Sequence, residues 1–329
     1  MPSDEHRIFF VFPGQGSQYR GMGADLVAEF DSAREVFERA SAVVGYDMER
    51  LCFENSDDKL DLTRYTQPAL VTHQLACLAA LRSLLGATGP QPVLAAGHSL
   101  GEYSALVVAG ALRIEDAIRL VKRRGELMSE LGEGSMLATT LDLETATALA
   151  EKHFCAIAGR NLPEQTVIAG RDEDLDALEQ ELTERFPRKR AVRLRTEGAF
   201  HTYLMVEAAR RFREVLAEVE IGKLTMGVLS NYTGKPHDAD AQVIRSRLFF
   251  QLFNPVRWMD CLDAAFARGV TCFVELGGGI GDTDDPAEKR PNLEGIIKKA
   301  LRLRGHEAEY LPAINAAALH HAAETLLSS

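Results

Sequence analysis

Ile8-Phe9-Phe10-Val11-Phe12 is an unbroken apolar run near the start of the chain. A run without polar alternation is what a central parallel strand, covered on both faces, requires. It breaks into Pro13-Gly14-Gln15-Gly16-Ser17-Gln18, a βα loop whose two glycines let backbone approach a neighbour closely. Apolar positions then recur at helical spacing from about residue 25 to 44 and from 67 to 85. The segment 61–66 leads into the second helix, with Thr66 as N-cap and Pro68 in the first turn. A second apolar run, Val93-Leu94-Ala95-Ala96, precedes a buried helix expected over 102–110. Between Ile114 and Glu130, the residues Ile114, Ala117, Ile118, Val121, Gly125 and Met128 form one helical stripe. Arg124 falls at the edge of that stripe, while Lys122 and Arg123 point away from it.

From residue 135 to 195 the pattern changes to short alternating elements. Strands are predicted over 135–140, 154–158, 165–169 and 190–195, with helices over 143–153 and 172–186. The order β-α-β-β-α-β is the split ferredoxin-like unit, and about sixty residues suffice for a small inserted domain. The fold expected is therefore α/β: a large domain from 1–132 and 198–329, with a small domain of 133–197 inserted in it. A helix is expected after His201 to about residue 219, then a late strand, Phe273–Leu276, ending in Gly277-Gly278-Gly279. The stretch 281–291 is polar and acidic and reads as an exposed loop; 293–303 and the tail from 316 read as helical.

Composition narrows the class of function. The 329-residue chain is 46% hydrophobic and 26% charged, ordinary globular material with an ample core. A formal charge of −11 argues against nucleic acid or an anionic membrane as partner. No apolar run is read as transmembrane, and Met1–Arg7 lacks the apolar region of a signal peptide. The five cysteines (Cys52, Cys77, Cys155, Cys261, Cys272) are scattered without ligand spacing, which suits reduced thiols in a cytoplasmic protein and offers no metal site.

The candidate chemistry centres on Gly97-His98-Ser99-Leu100-Gly101. Strand, G-x-S-x-G and helix, in that order, are the context of a nucleophile elbow, with Ser99 on a tight, strained turn. A glycine-flanked serine that merely caps a helix would show the same five residues. The helix that follows offers free N–H groups to a developing oxyanion, and the loop at 13–18 is placed to supply another. A catalytic serine needs a base, and His201 lies at the junction of the two domains. His98 reads as a packing residue. No acidic third member is found: the stretch from Arg245 through Gln251 to Trp258 contains none. Arg124 either snorkels to solvent or faces the cleft, where it would need a carboxylate partner. Gln67 by itself reads as a surface glutamine.

Taken together, several motifs resemble the malonyl-CoA:acyl carrier protein transacylases and the polyketide acyltransferases. They are Phe12–Gln18, Thr66-Gln67-Pro68-Ala69-Leu70, Gly97–Leu106, Arg124-Gly125 with Met128, Phe200-His201 with Met205, and Asn254–Trp258. The resemblance implies an α/β-hydrolase-like large domain with a ferredoxin-like (βαββαβ) insertion. It implies Ser99 as nucleophile, His201 as base, the main-chain N–H groups of Gln15 and Leu100 as oxyanion hole, and the carbonyl of Gln251 as the group orienting His201. Arg124 matches the arginine that pairs bidentately with the free carboxylate of the substrate. Gln67 matches a residue near the acyl pocket, and Phe200 the position at which malonyl-type members carry a phenylalanine. No cofactor or metal is implied: malonyl-CoA is substrate, and the phosphopantetheine arrives on the acyl carrier protein.

Gly198 looks more like the freestanding polyketide enzymes, and a monomer acting in trans is expected. Gly277-Gly278-Gly279 replaces the usual Gly-Pro-Gly, and 281–291 looks like an insertion; both are read as lying away from the catalytic residues. The alternatives are a hydrolase that clears acyl groups from carrier proteins, which would lack Arg124, and an inactive docking module of a synthase assembly. An acidic carrier protein would need a local basic patch, for which Arg185 to Arg195 is the densest candidate.

Overall fold

The computed structural model describes residues 6–328. Residues 1–5, part of the segment read as lacking a leader's apolar region, and residue 329 lie outside the described residues. The chain runs β1 (Ile8–Phe12), α1 (Ala24–Glu29), α2 (Asp31–Val44), α3 (Met48–Phe53), α4 (Thr63–Leu85), β2 (Leu94–Gly97), α5 (Gly101–Val108) and α6 (Ile114–Glu130). The second sheet and its helices follow as β3 (Ser135–Thr139), α7 (Leu143–Lys152), β4 (Ala156–Leu162), β5 (Gln165–Gly170), α8 (Asp172–Arg185) and β6 (Ala191–Leu194). The return comprises α9 (Val206–Glu218), β7 (Gly227–Val228), α10 (Ala241–Gln251), α11 (Trp258–Phe266), β8 (Cys272–Leu276), α12 (Glu294–Arg304), β9 (Glu309–Ala313) and α13 (Ala316–Leu327).

Five strands form a wholly parallel sheet in the order β7-β2-β1-β8-β9. All five residues of β1 are buried, the outcome its unbroken apolar run dictates. The loops that leave the C-terminal ends of β1 and β2 carry the candidate chemistry, the usual place for it in an open α/β sheet. The four-stranded antiparallel sheet has the order β4-β5-β3-β6, as a ferredoxin-like unit demands. One of its faces packs on α7 and α8 through Leu137, Ile168, Leu149 and Leu178. From the other face Met136, Ala158, Val167 and Ala169 pack with Met128, Phe200 and Met205 of the large domain. The small sheet is thus a lid on the large one.

Several expectations are corrected. The helix expected over 25–44 is two helices, because Phe30 turns extended (φ −117°, ψ 115°) and buries its ring at the break. The helix expected from residue 67 begins at Thr63 with Leu62 as N-cap, so Thr66 is not the cap. Its hydroxyl is satisfied by the Leu60 carbonyl (2.5 Å), and Pro68 sits inside the helix. That same helix is 23 residues long and apolar enough to cross a membrane by length and composition, contrary to the sequence reading; most of it is buried inside the protein. The strand expected at 154–158 begins at Ala156, because Phe154 is an exposed turn residue with φ 54°. The edge strand β9, disguised by Pro312, had no counterpart in the sequence reading; proline is tolerated there because an edge need not donate on its outer side.

Candidate active site

The elbow forms where β2 turns into α5. A Cβ on Gly97 would lie 1.8 Å from the Gly101 carbonyl carbon, and one on Gly101 2.4 Å from the Phe12 carbonyl oxygen, so both flanks must be glycine. Ser99 takes a left-handed backbone (φ 49°) that a serine rarely adopts unaided. Asn231 supplies the aid: its Oδ1 accepts from the Ser99 N–H (2.5 Å), and its Nδ2 donates to the Gly97 carbonyl (2.8 Å).

His201 Nε2 lies 2.7 Å from Ser99 Oγ. Its Nδ1 lies 2.7 Å from the carbonyl oxygen of Gln251, the last residue of α10, where helix carbonyls lack intrahelical partners. A carbonyl only accepts, so Nδ1 carries the proton and Nε2 presents its lone pair to the serine hydroxyl. Burial pushes the imidazole down to about 3, the nearby Arg124 charge pushes the same way, and the Gln251 carbonyl opposes both. His201 is therefore neutral at pH 7. Gln15 and Leu100 border the cleft beside Ser99, and among the described residues neither backbone N–H donates to a protein acceptor.

Arg124 is 1% exposed. Nη1 donates to Gln67 Oε1 (2.9 Å), and Nη2 donates to Ser99 Oγ (3.1 Å) and Gln251 Oε1 (3.3 Å). Its guanidinium carbon lies 5.8 Å from the Tyr103 ring centroid. Among the described residues no carboxylate lies within ion-pair distance of it, although an inward arginine was expected to need one. Gln67 is buried, not a surface residue, and its Nε2 reaches Met128 Sδ (3.3 Å). α4 and α6 approach closely enough to bring Gln67 and Arg124 together because Gly125 abuts the Thr63 carbonyl. Phe200 lines the same cleft, a cavity of about 280 Å³ between the two sheets.

The structure thus gathers every residue singled out from the sequence: Ser99, His201, Gln15, Leu100, Arg124, Gln67 and Phe200 border the cleft, and Gln251 backs it. His98, read as packing, does pack on Trp258, but it also borders the cleft and reaches Asn161 Oδ1 of β4 (2.9 Å), tying the elbow to the small sheet. The sequence reading missed Asn161, Asn231, His237 and Glu102. Only Glu102 left a signal there, as a carboxylate inside a helix otherwise read as buried. The glycine turn at 277–279, read as remote, packs against the Gln15 loop. Gly279 N–H donates to the Ser17 carbonyl (2.8 Å), and Gly278 N–H donates to His73 Nδ1 (2.9 Å). Gly278 has φ 70°, which a proline cannot adopt. Far from the cleft, at the opposite end of the sheet, ligand atoms of His6, Cys272 and Glu309 lie within 4.8 Å of one another.

The sequence profile of the acyl transferase domain matches residues 9–277. The chain is 41% identical over 299 residues to the polyketide biosynthesis protein ThaF of Burkholderia thailandensis, covering 89% of this chain but only 25% of that much longer relative. It is 37% identical over 305 residues to a malonyl CoA-acyl carrier protein transacylase of Bacillus subtilis, covering 90% of this chain and 91% of the relative. Among solved structures, a malonyl-transacylase in complex with a type II polyketide synthase acyl-carrier protein matches with a TM-score of 0.86 at 33% identity, covering 97% of this chain and 99% of that one.

Proposed function

The chain belongs to the acyl transferase family as a malonyl-CoA:acyl carrier protein transacylase, and we propose that it works through an acyl enzyme on Ser99. His201 Nε2 takes the Ser99 proton as Oγ attacks the malonyl thioester carbonyl. The Gln15 and Leu100 N–H groups receive the oxyanion, and the leaving thiolate of coenzyme A takes the proton from His201. In the second half-reaction His201 takes the proton of the carrier's phosphopantetheine thiol. The thiolate then attacks the Ser99 ester, and the departing serine oxygen takes the proton back from His201. One base serves both halves, and no cofactor is required.

The observation that carries the reading is Arg124. A buried guanidinium without a carboxylate partner is costly, and its Nη2 stands 3.1 Å from the nucleophile. The free carboxylate of a malonyl group would supply the missing charge while its thioester carbonyl sits over Ser99. Phe200 bounds the space beside it. An inactive docking module would have no use for a serine–histidine contact of 2.7 Å.

The carrier protein is the partner, and of the basic run only part is free to meet it. Arg185 is paired with Glu181, Lys189 reaches Glu164, and Arg193 is held by Asp176 and Glu179. Among the described residues Arg188, Arg190 and Arg195 make no ion pair and are exposed, and Leu194 and Thr196, flanking Arg195, border the cleft. Those three arginines are the docking candidates. Intact-mass measurement tests the acyl enzyme. Malonyl-CoA should add one malonyl group to the wild type and none to Ser99→Ala; a loaded Ser99→Ala would overturn the assignment.

A further inference from the structure

Glu102, Asn231 and His237 form a buried polar cluster behind the elbow, and none of them borders the cleft. Glu102 lies in the first turn of α5, fully buried, and among the described residues no lysine or arginine is within ion-pair distance of it. Its carboxyl group is nonetheless fully engaged. Oε2 accepts from the Asn231 backbone N–H (2.9 Å) and from Gln251 Nε2 (2.7 Å), while Oε1 faces His237 Nε2 at 2.7 Å. Buried carboxyl groups are kept only where such partners exist.

The two groups held by Oε2 are those that shape the site. Asn231 fixes the strained Ser99 backbone. Gln251 touches His201, Arg124 and the Ser99 backbone: its carbonyl accepts from His201 Nδ1, its Nε2 donates to the Ser99 carbonyl (3.0 Å), and its Oε1 accepts from Arg124 Nη2. Because a carboxylate accepts and does not donate, Oε2 forces the Gln251 amide to turn its NH2 inward and its oxygen toward Arg124. A reversed amide would aim N–H groups at the guanidinium. We propose that Glu102 is the positioning residue of this site, holding the serine backbone, the histidine and the arginine fork in one register through Asn231 and Gln251. The inference rests on the acyl-Ser99 reading.

The test uses Glu102→Ala and Glu102→Asp, the latter retracting the carboxyl by one methylene while keeping it a carboxyl, with Glu102→Gln as the conservative variant. Two readouts separate positioning from mere stability, each measured on protein shown to be folded by thermal melting. One is the rate at which an alkyl fluorophosphonate labels Ser99, which needs the serine and histidine but neither an acyl-CoA nor Arg124. The other is the ratio of malonyl-CoA to acetyl-CoA loading. Displacing catalytic groups by an ångström can cost about a hundredfold, so Glu102→Ala should slow labelling by about that factor and lower the malonyl preference by about tenfold. Glu102→Gln, which keeps an oxygen toward Asn231 and Gln251, should recover most of both. If the alanine variant does not fold, Glu102→Asp carries the same expectation with a smaller loss. Labelling and preference within about threefold of wild type in the folded variants, or a glutamine variant as impaired as the alanine one, would overturn the proposal. Failure of the wild type to move malonyl groups would count against the transacylase reading alone, since the labelling rate does not depend on it.

Discussion

Arg124 and Arg193 are both arginines in regular elements, and the protein treats them in opposite ways. Arg193, on the outer strand of the small sheet, is gripped by Asp176 at 2.6 Å and Glu179 at 2.7 Å. Arg124, on the helix under the cleft, is more deeply buried and hydrogen-bonds only to neutral oxygens. For Arg193 the neighbouring helix supplies both carboxylates. Arg124 has no such partner, and under the proposed function that pairing falls to the incoming malonyl carboxylate, with burial raising its worth.

The largest effect should come from removing the Arg124 charge. Arg124→Ala should lower malonyl-CoA loading by roughly 3–5 kcal/mol of transition-state stabilisation, the cost of breaking a desolvated pair, and lower acetyl-CoA loading far less. Loading rates for the two thioesters check it; equal losses would make Arg124 as structural as Arg193.

A smaller effect concerns pH. An ordinary histidine protonates near 6.5, whereas burial and Arg124 hold His201 at about 3. Protonation removes the base, so Ser99 labelling by a fluorophosphonate should stay level as pH falls through 6.5 and fail only well below it. Arg124→Gln removes a positive neighbour, so the acid limb should move to higher pH. A limb unmoved by that substitution would separate the two groups electrostatically, despite their shared serine.

The smallest effect belongs to the surface. Charge reversal at Arg188 and Arg190 should slow transfer to the carrier protein several-fold at low salt, on the order of a tenfold change at most, and flatten its salt dependence. Loading from malonyl-CoA should not respond. Transfer kinetics checked across ionic strength would show whether the unpaired part of the basic run steers the partner.

Much of this was legible along the chain because it is local. The unbroken run at 8–12 can only be a doubly covered strand, the glycines at 97 and 101 are demanded by the turn itself, and the β-α-β-β-α-β order needs only alternation and spacing. Ser99 stood out through its glycine flanks, and His201 as a candidate base at the junction of the two domains. The rest was decided by groups meeting across long sequence separations. Arg124 sat at the edge of a stripe, and only the close packing of α4 against α6 turned it inward onto Gln67. Asn231, more than 130 positions from Ser99, is an unremarkable residue in a loop until the return of the chain places it under the elbow. Glu102 showed a charge where none was expected, but its partners are Asn231, His237 and Gln251, each far along the chain. A sequence specifies periodicity and turn chemistry directly, since these act between neighbours. The partner of a buried polar group is fixed by whichever oxygen or N–H the completed fold brings within 3 Å of it, a distance no spacing along the chain encodes.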